Sequence, residues 1–270
     1  MTPTQTRYRK WLWLLLPVIL LGLPLALSDT LYQRAIAQAP AFPFPACQKV
    51  WAHRGYVGEG DENSLRSVQA AFQRGAVGVE IDILYDHALG DFVVSHDAPY
   101  TLFDGKPLLL ETVLQQYGSA GFFWLDAKDL RKLSPLAARR ATQRLADLLH
   151  RYQLSERALV ESRSALYLAW LANKGIYTSY LISPNDQKYS AVVYQLNTRL
   201  MKLGYALGGL GAIAMNEYRY TPTTAATFGK VAVLLSTVND AEALKNWAAY
   251  PTVKVILSDE DHFALDACQP

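Results

Sequence analysis

The sequence predicts an α/β fold: a closed (β/α)8 TIM barrel with a small β-hairpin after its second strand, preceded by an N-terminal hydrophobic helix. Three observations predict it. Eight short β-branched or aromatic runs alternate with segments of helical apolar spacing, such as Leu65, Val68 and Phe72. Ionisable residues collect at the C-terminal ends of these runs, the face on which a parallel barrel builds its sites. From Lys49 onward there is neither a second linker nor a repeat, and roughly 220 residues suit one barrel better than two smaller units. The open doubly wound sheet is the rival. Its Gly-x-Gly-x-x-Gly signature does not follow the first strand.

The elements follow in order. Arg7, Arg9 and Lys10 precede Trp11–Ser28, 18 residues without a charge. This is the pattern of an export signal or a short membrane anchor, with the positive flank left inside and the globular part exported. Residues 1–28 are therefore assigned to that signal or anchor, 29–46 to an extended linker rich in proline, and 47–270 to the barrel domain. The expected strands are 50–53, 79–82, 122–126, 158–161, 177–182, 212–215, 231–235 and 253–257. Phe92-Val93-Val94 follows the second strand too closely for a parallel crossover, so it must fold back as a hairpin.

Charge and cysteine content exclude several classes. The formal net charge is +2, but residues 1–34 alone carry +3, which leaves −1 for the remainder. A nucleic-acid partner loses its electrostatic support. Two cysteines rule out a Cys-rich zinc site. Cys47 and Cys268 flank the domain, and in an oxidising compartment they either pair and tie its ends together or remain two buried thiols.

The chemistry-bearing residues lie at four strand ends: His53-Arg54-Gly55, Glu80 with Asp82, His96-Asp97, and Asp126-Ala127-Lys128. Glu80 and Asp82 are two apart on a strand and share one face within an apolar run. Two carboxylates at a barrel mouth repel, and a divalent cation relieves them; Asp126 completes an oxygen site suited to Ca²⁺ or Mg²⁺. Salt bridges to Arg54 and Lys128 are the alternative. His53 and His96, two of five histidines, can divide proton removal and donation, while Arg54 and Lys128 would neutralise a phosphate. Glu161 and Asn216-Glu217 lie at strand ends of the same face and match no motif.

These motifs carry a resemblance. His53-Arg54-Gly55, Glu62-Asn63-Ser64, Gly78-Val79-Glu80-Ile81-Asp82 and Val93-Val94-Ser95-His96-Asp97 resemble, in order and spacing, the glycerophosphodiester phosphodiesterase family. A weaker likeness continues through Asp126-Ala127-Lys128, Thr237-Val238-Asn239 and Ile256-Leu257-Ser258-Asp259. The resemblance implies a metal-dependent enzyme that hydrolyses a small-molecule or lipid phosphodiester to an alcohol and glycerol 3-phosphate. It makes His53 and His96 the acid/base pair, Glu80 and Asp82 metal ligands, Arg54 and Lys128 phosphate contacts, and Glu62 an outer or additional ligand.

Three departures qualify the likeness. Asp126 stands where the family usually has glutamate, and its segment is similar to sphingomyelinase D-type phospholipases. Asp61 replaces the usual proline before the Glu-Asn pair, and Ser236 replaces a tryptophan. The alternatives are therefore a phospholipase D-like enzyme acting on lysophospholipids or sphingolipids, and a non-catalytic phosphodiester- or lipid-binding barrel.

Overall fold

The structure, a computed structural model, describes residues 23, 25–56 and 61–265. In chain order its elements begin with α1 (Ser28–Gln38), β1 (Val50–Ala52), α2 (Leu65–Gln73), β2 (Gly78–Asp86) and β3 (Asp91–Val94). A minor hairpin of β4 (Leu102–Phe103) and β5 (Lys106–Pro107) precedes α3 (Leu110–Tyr117), β6 (Phe122–Ala127) and α4 (Pro135–Arg151). Then come β7 (Ala158–Ser162), α5 (Ala165–Ala172), β8 (Tyr177–Leu181), α6 (Ala191–Gly208) and β9 (Ala212–Asn216). The chain ends in α7 (Pro222–Phe228), β10 (Ala232–Ser236), α8 (Ala241–Ala248) and β11 (Val253–Ser258).

Strands β1, β2, β6, β7, β8, β9, β10 and β11 pair in that order, all parallel, and β11 pairs back to β1. The sheet is therefore closed, as the eight predicted runs require. β3 runs antiparallel to β2, with Phe92 opposite Tyr85, which is the predicted hairpin.

Alternation along each strand divides the apolar residues into two cores. Val50, Val79, Ile81 and Leu125 face the helices, whereas Trp51, Trp124, Leu159 and Leu234 form a second cluster inside the barrel. The interior is tight. A Cβ on Gly78 would lie 2.4 Å from the Trp51 ring, so only glycine lets β2 pass this indole.

The segment 29–46 is not an extended linker. Its first part is helix α1, whose Tyr32 is fully buried, donates to the Phe228 carbonyl (3.1 Å) and packs edge-on against Tyr205. Asp29 pairs with Lys202 at 2.6 Å. Phe42 and Phe44 then reach the lower end of the barrel, where Phe44 contacts Trp51, Phe122 and Tyr177. The prolines suggested a spacer, but the segment places these two rings against the barrel's inner cluster. Most of the hydrophobic stretch Trp11–Ser28, and Cys268, lie outside the described residues. No described helix is long and apolar enough to cross a membrane.

Because Phe44 fills the barrel floor, Phe44→Ala should destabilise the protein by about 3–5 kcal/mol. Urea unfolding measures this, and a passive linker residue would cost nothing.

Candidate active site

Register builds the site. Asp82 on β2 lies opposite Asp126 on β6, and Asp126 lies opposite Glu161 on β7, so three adjacent strands place carboxylates in one row. Glu80 sits two residues before Asp82 on the same face. All four are buried. Oxygens of Glu80, Asp82 and Asp126 come within 4.8 Å of one another.

Loops supply the counter-charges and hydrogen bonds. Gly55, with φ +79°, turns the chain after β1 so tightly that a Cβ there would lie 2.4 Å from Ser67. That turn aims the Arg54 backbone N–H at Glu80 Oε2 (2.9 Å) and brings Arg54 Nε to 3.2 Å from Asp82. Ser64 and Ser67 cap α2 reciprocally, which fixes the preceding Asn63. The Asn63 amide donates to Asp82 Oδ2 and its oxygen accepts from the Asp82 N–H, both at 2.9 Å. Lys128 lies between Asp82 (3.0 Å) and Asp126.

The salt-bridge alternative is thus realised in part, yet the carboxylates outnumber their cations. Glu161 Oε2 makes no hydrogen bond among the described residues, and Asp82 Oδ1 has only its ion pair with Lys128. Burial, reinforced by Asp82, lifts Glu80 well above the usual glutamate range. Burial with Asp126 does the same to Glu161, and burial also raises Asp126. For Asp82 burial is outweighed by Lys128, the Asn63 amide and Arg54, which hold it low. Burial likewise opposes charge on Lys128, but Asp126, Asp82 and Glu80 raise it.

Both histidines border the same cavity of about 250 Å³, together with Arg54, Glu80, Asp126, Lys128, Glu161 and Arg163. His53 Nδ1 is 2.7 Å from Asp259 Oδ1, and its Nε2 lies 3.9 Å from Glu80. Asp259 is fixed in turn by the Asn239 amide at 2.9 Å, and its bond to His53 keeps its own pKa low. His96 Nδ1 is 2.6 Å from Asp97. A wider cleft of about 420 Å³ between α4 and α5 has no carboxylate or histidine in its lining.

The structure therefore brings His53, His96, Arg54, Lys128, Glu80, Asp82 and Asp126 together. Glu62 stands apart from the carboxylate cluster. It is exposed and binds Arg54 Nη1 at 2.9 Å, so it acts on the site through that guanidinium rather than as a ligand. Sequence reasoning assigned no role to Asn63, Asn239 and Asp259, although all three lie within the motifs it quoted. Arg163 and Thr237, which also line the cavity, had no assigned role either.

The triad fits a hard divalent cation. Three oxygens within 4.8 Å of one another suit metal–oxygen bonds of about 2.1–2.6 Å, and the donors are all oxygen. Among the described residues Glu161 Oε2, buried beside the triad, makes no hydrogen bond, and Asp82 Oδ1 faces only the Lys128 ammonium, 3.0 Å away.

The fold is that of the glycerophosphodiester phosphodiesterases. The chain superposes on such an enzyme from Parabacteroides distasonis with a TM-score of 0.59 at 21% identity, covering 78% of this chain and 92% of that one. It also matches one from Thermotoga maritima (TM-score 0.58, 19% identity, 79% and 95% covered). A phosphodiesterase from Oleispira antarctica, solved in complex with its product sn-glycerol-3-phosphate, matches at TM-score 0.58 and 18% identity over 84% and 96% of the chains. No protein-family model and no curated protein matches the sequence.

The raised carboxyls set a pH dependence. A carboxyl whose folded pKa exceeds its unfolded value favours folding when protonated, so its contribution is lost as pH rises through that interval. Glu161→Gln removes one such group. In chelator the variant should therefore melt above wild type, with the gap widening as pH rises above the ordinary glutamate range. Differential scanning calorimetry checks this.

Proposed function

We propose that the chain is a metal-dependent phosphodiesterase that hydrolyses glycerophosphodiesters to an alcohol and glycerol 3-phosphate. One observation carries the reading: two histidines border a cavity also lined by the buried carboxylates Glu80, Asp126 and Glu161 and by three basic side chains, Arg54, Lys128 and Arg163. The four N-terminal motifs and the shared fold support it. So does the glycerol 3-phosphate product bound by the Oleispira antarctica phosphodiesterase.

Glu80, Asp82 and Asp126 would hold one divalent cation, Ca²⁺ or Mg²⁺, which when bound would stabilise charge on the phosphate oxygens. The remaining steps belong to the protein. Arg54 and Lys128 neutralise and orient the phosphate. Asp259 accepts from His53 Nδ1–H, which leaves Nε2 as the free base. The glycerol hydroxyl next to the phosphate gives its proton to Nε2 and attacks phosphorus, and His96 protonates the departing alkoxide. In the second half-reaction His96 takes a proton from water, which opens the cyclic phosphate, and His53 protonates the released glycerol oxygen. Holding the hydroxyl and phosphorus in one molecule supplies the proximity term.

Export is part of the proposal. The basic cluster and Trp11–Ser28 read as a signal or anchor, and Cys47 with Cys268 as a pair closing the domain outside the cytoplasm. Asp126, together with the short β3-to-β6 connection carrying only the β4–β5 hairpin and α3, favours a second reading: a phospholipase D-like reaction on lysophospholipids or sphingolipids.

Phosphorus NMR of the full chain with glycerophosphocholine should show glycerol 3-phosphate in Ca²⁺ or Mg²⁺ and none in chelator. A cyclic product from lysophosphatidylcholine alone would establish the second reading. Metal binding without turnover of either substrate would leave a binding barrel. His53→Ala should lower kcat about 10²- to 10⁴-fold. Asp259→Asn should lower kcat by less, with KM unchanged, because it disturbs the base and not the phosphate contacts.

A further inference from the structure

Helix α6 carries a surface that the proposed reaction does not use. Its inner face buries Tyr194, Thr198 and Tyr205. On the outer face Val192, Val193, Leu196, Leu200 and Leu207 are 42–76% exposed. With half-buried Leu203 they fall in one sector about 100° wide, so this helix is apolar both inside and out. A solvated barrel helix carries its polar residues there. α6 has no carboxylate at all, and its two charges, Arg199 and Lys202, are both basic.

A second observation says where lipid-seeking sequence joins the domain. Helix α1 lies beside α6, with Asp29 on Lys202 and Tyr32 on Tyr205. Both contacts advance by three residues, so the two helices run parallel. At an equal rise of about 1.5 Å per residue, Leu23 stands level with Leu196. Leu23 and Leu27 are themselves 54% and 44% exposed. The chain that precedes Leu23 is the uncharged run Trp11–Gly22, following a basic cluster. Sequence with affinity for lipid therefore joins the domain at the level where the stripe begins, on the flank of α6 and not on the stripe itself.

We propose that the outer face of α6 rests on a lipid bilayer. An apolar stripe with the exposed Arg199 at its edge suits an interface with anionic headgroups. Attachment through the adjoining segment would keep the bilayer at high effective concentration beside it. The first turn of α6 follows the C-terminal end of β8, so contact there brings lipid alongside the barrel mouth, where a membrane-resident phosphodiester could enter. The contact depends on the stripe and the adjoining segment, not on the reaction, and would stand if the proposed reaction failed.

Photo-crosslinking in the full chain tests it. p-Benzoylphenylalanine is placed at Leu196 or, as a control of equal character, at Leu136 of α4, which is 64% exposed. Each protein is reconstituted into phosphatidylcholine–phosphatidylglycerol vesicles, irradiated and digested for mass spectrometry. Lipid adducts from position 196 and none from position 136 are expected. Adducts to a second copy, adducts to residues 11–22, no adduct at 196, or equal lipid adducts at both positions would each overturn the proposal. Hydrogen exchange of the unsubstituted chain gives an independent reading. Vesicles should slow exchange in α6 and not in α4, and unchanged exchange in α6 would count against the contact.

Discussion

Charge concentrated in a small buried space governs the upper half of this molecule. Glu80, Asp82, Asp126 and Glu161 reach it from three neighbouring strands, and water cannot dissipate their repulsion there. The surroundings answer that constraint. Lys128 spans two of the carboxylates, Asn63 spends both ends of its amide on Asp82, and the backbone of Arg54 turns inward to reach Glu80. Even Glu62, outside the cluster, serves it by steadying the Arg54 guanidinium. Acceptor capacity remains in excess of the donors, which is the state of a cage suited to a cation.

The lower half has the opposite character. Trp51, Trp124, Leu159 and Leu234 fill the barrel interior, and Phe44 closes it from beneath. Aromatic rings meet there edge to face, the arrangement their quadrupoles favour. Stability is thus gathered at the end where strands begin, and strained polar groups at the end where they finish. This separation lets the mouth carry unfavourable charge without endangering the closed sheet. It also gives α1 and the segment after it a structural purpose, since they deliver the ring that seals the floor.

Much of this was legible beforehand because the signals were local. Alternating apolar runs identified all eight barrel strands, and the brief turn after β2 was too short for anything but an antiparallel return. The spacing of Glu80 and Asp82 placed them on one face whatever the fold. The departures came where the relevant neighbour is distant in the chain. Residues 29–46 look like a spacer until Tyr205, Phe228 and Trp51 are known to surround them. Glu161 has no motif of its own, and its meaning comes from Asp126 opposite it in the sheet. Asp259 follows the last strand, and only closure of β11 against β1 sets it on His53.

The sequence by itself determined the strand and helix periodicity, the identity of the ionisable groups and the strand ends on which they sit. These follow from the pleat of a strand and the pitch of a helix, which are properties of a few consecutive residues. Tertiary structure alone decided which carboxylates share a space, how far their protonation is shifted, which partner orients His53 and what covers the barrel floor. Those outcomes depend on burial and on distances between residues far apart in the chain, and both arise only when the sheet closes.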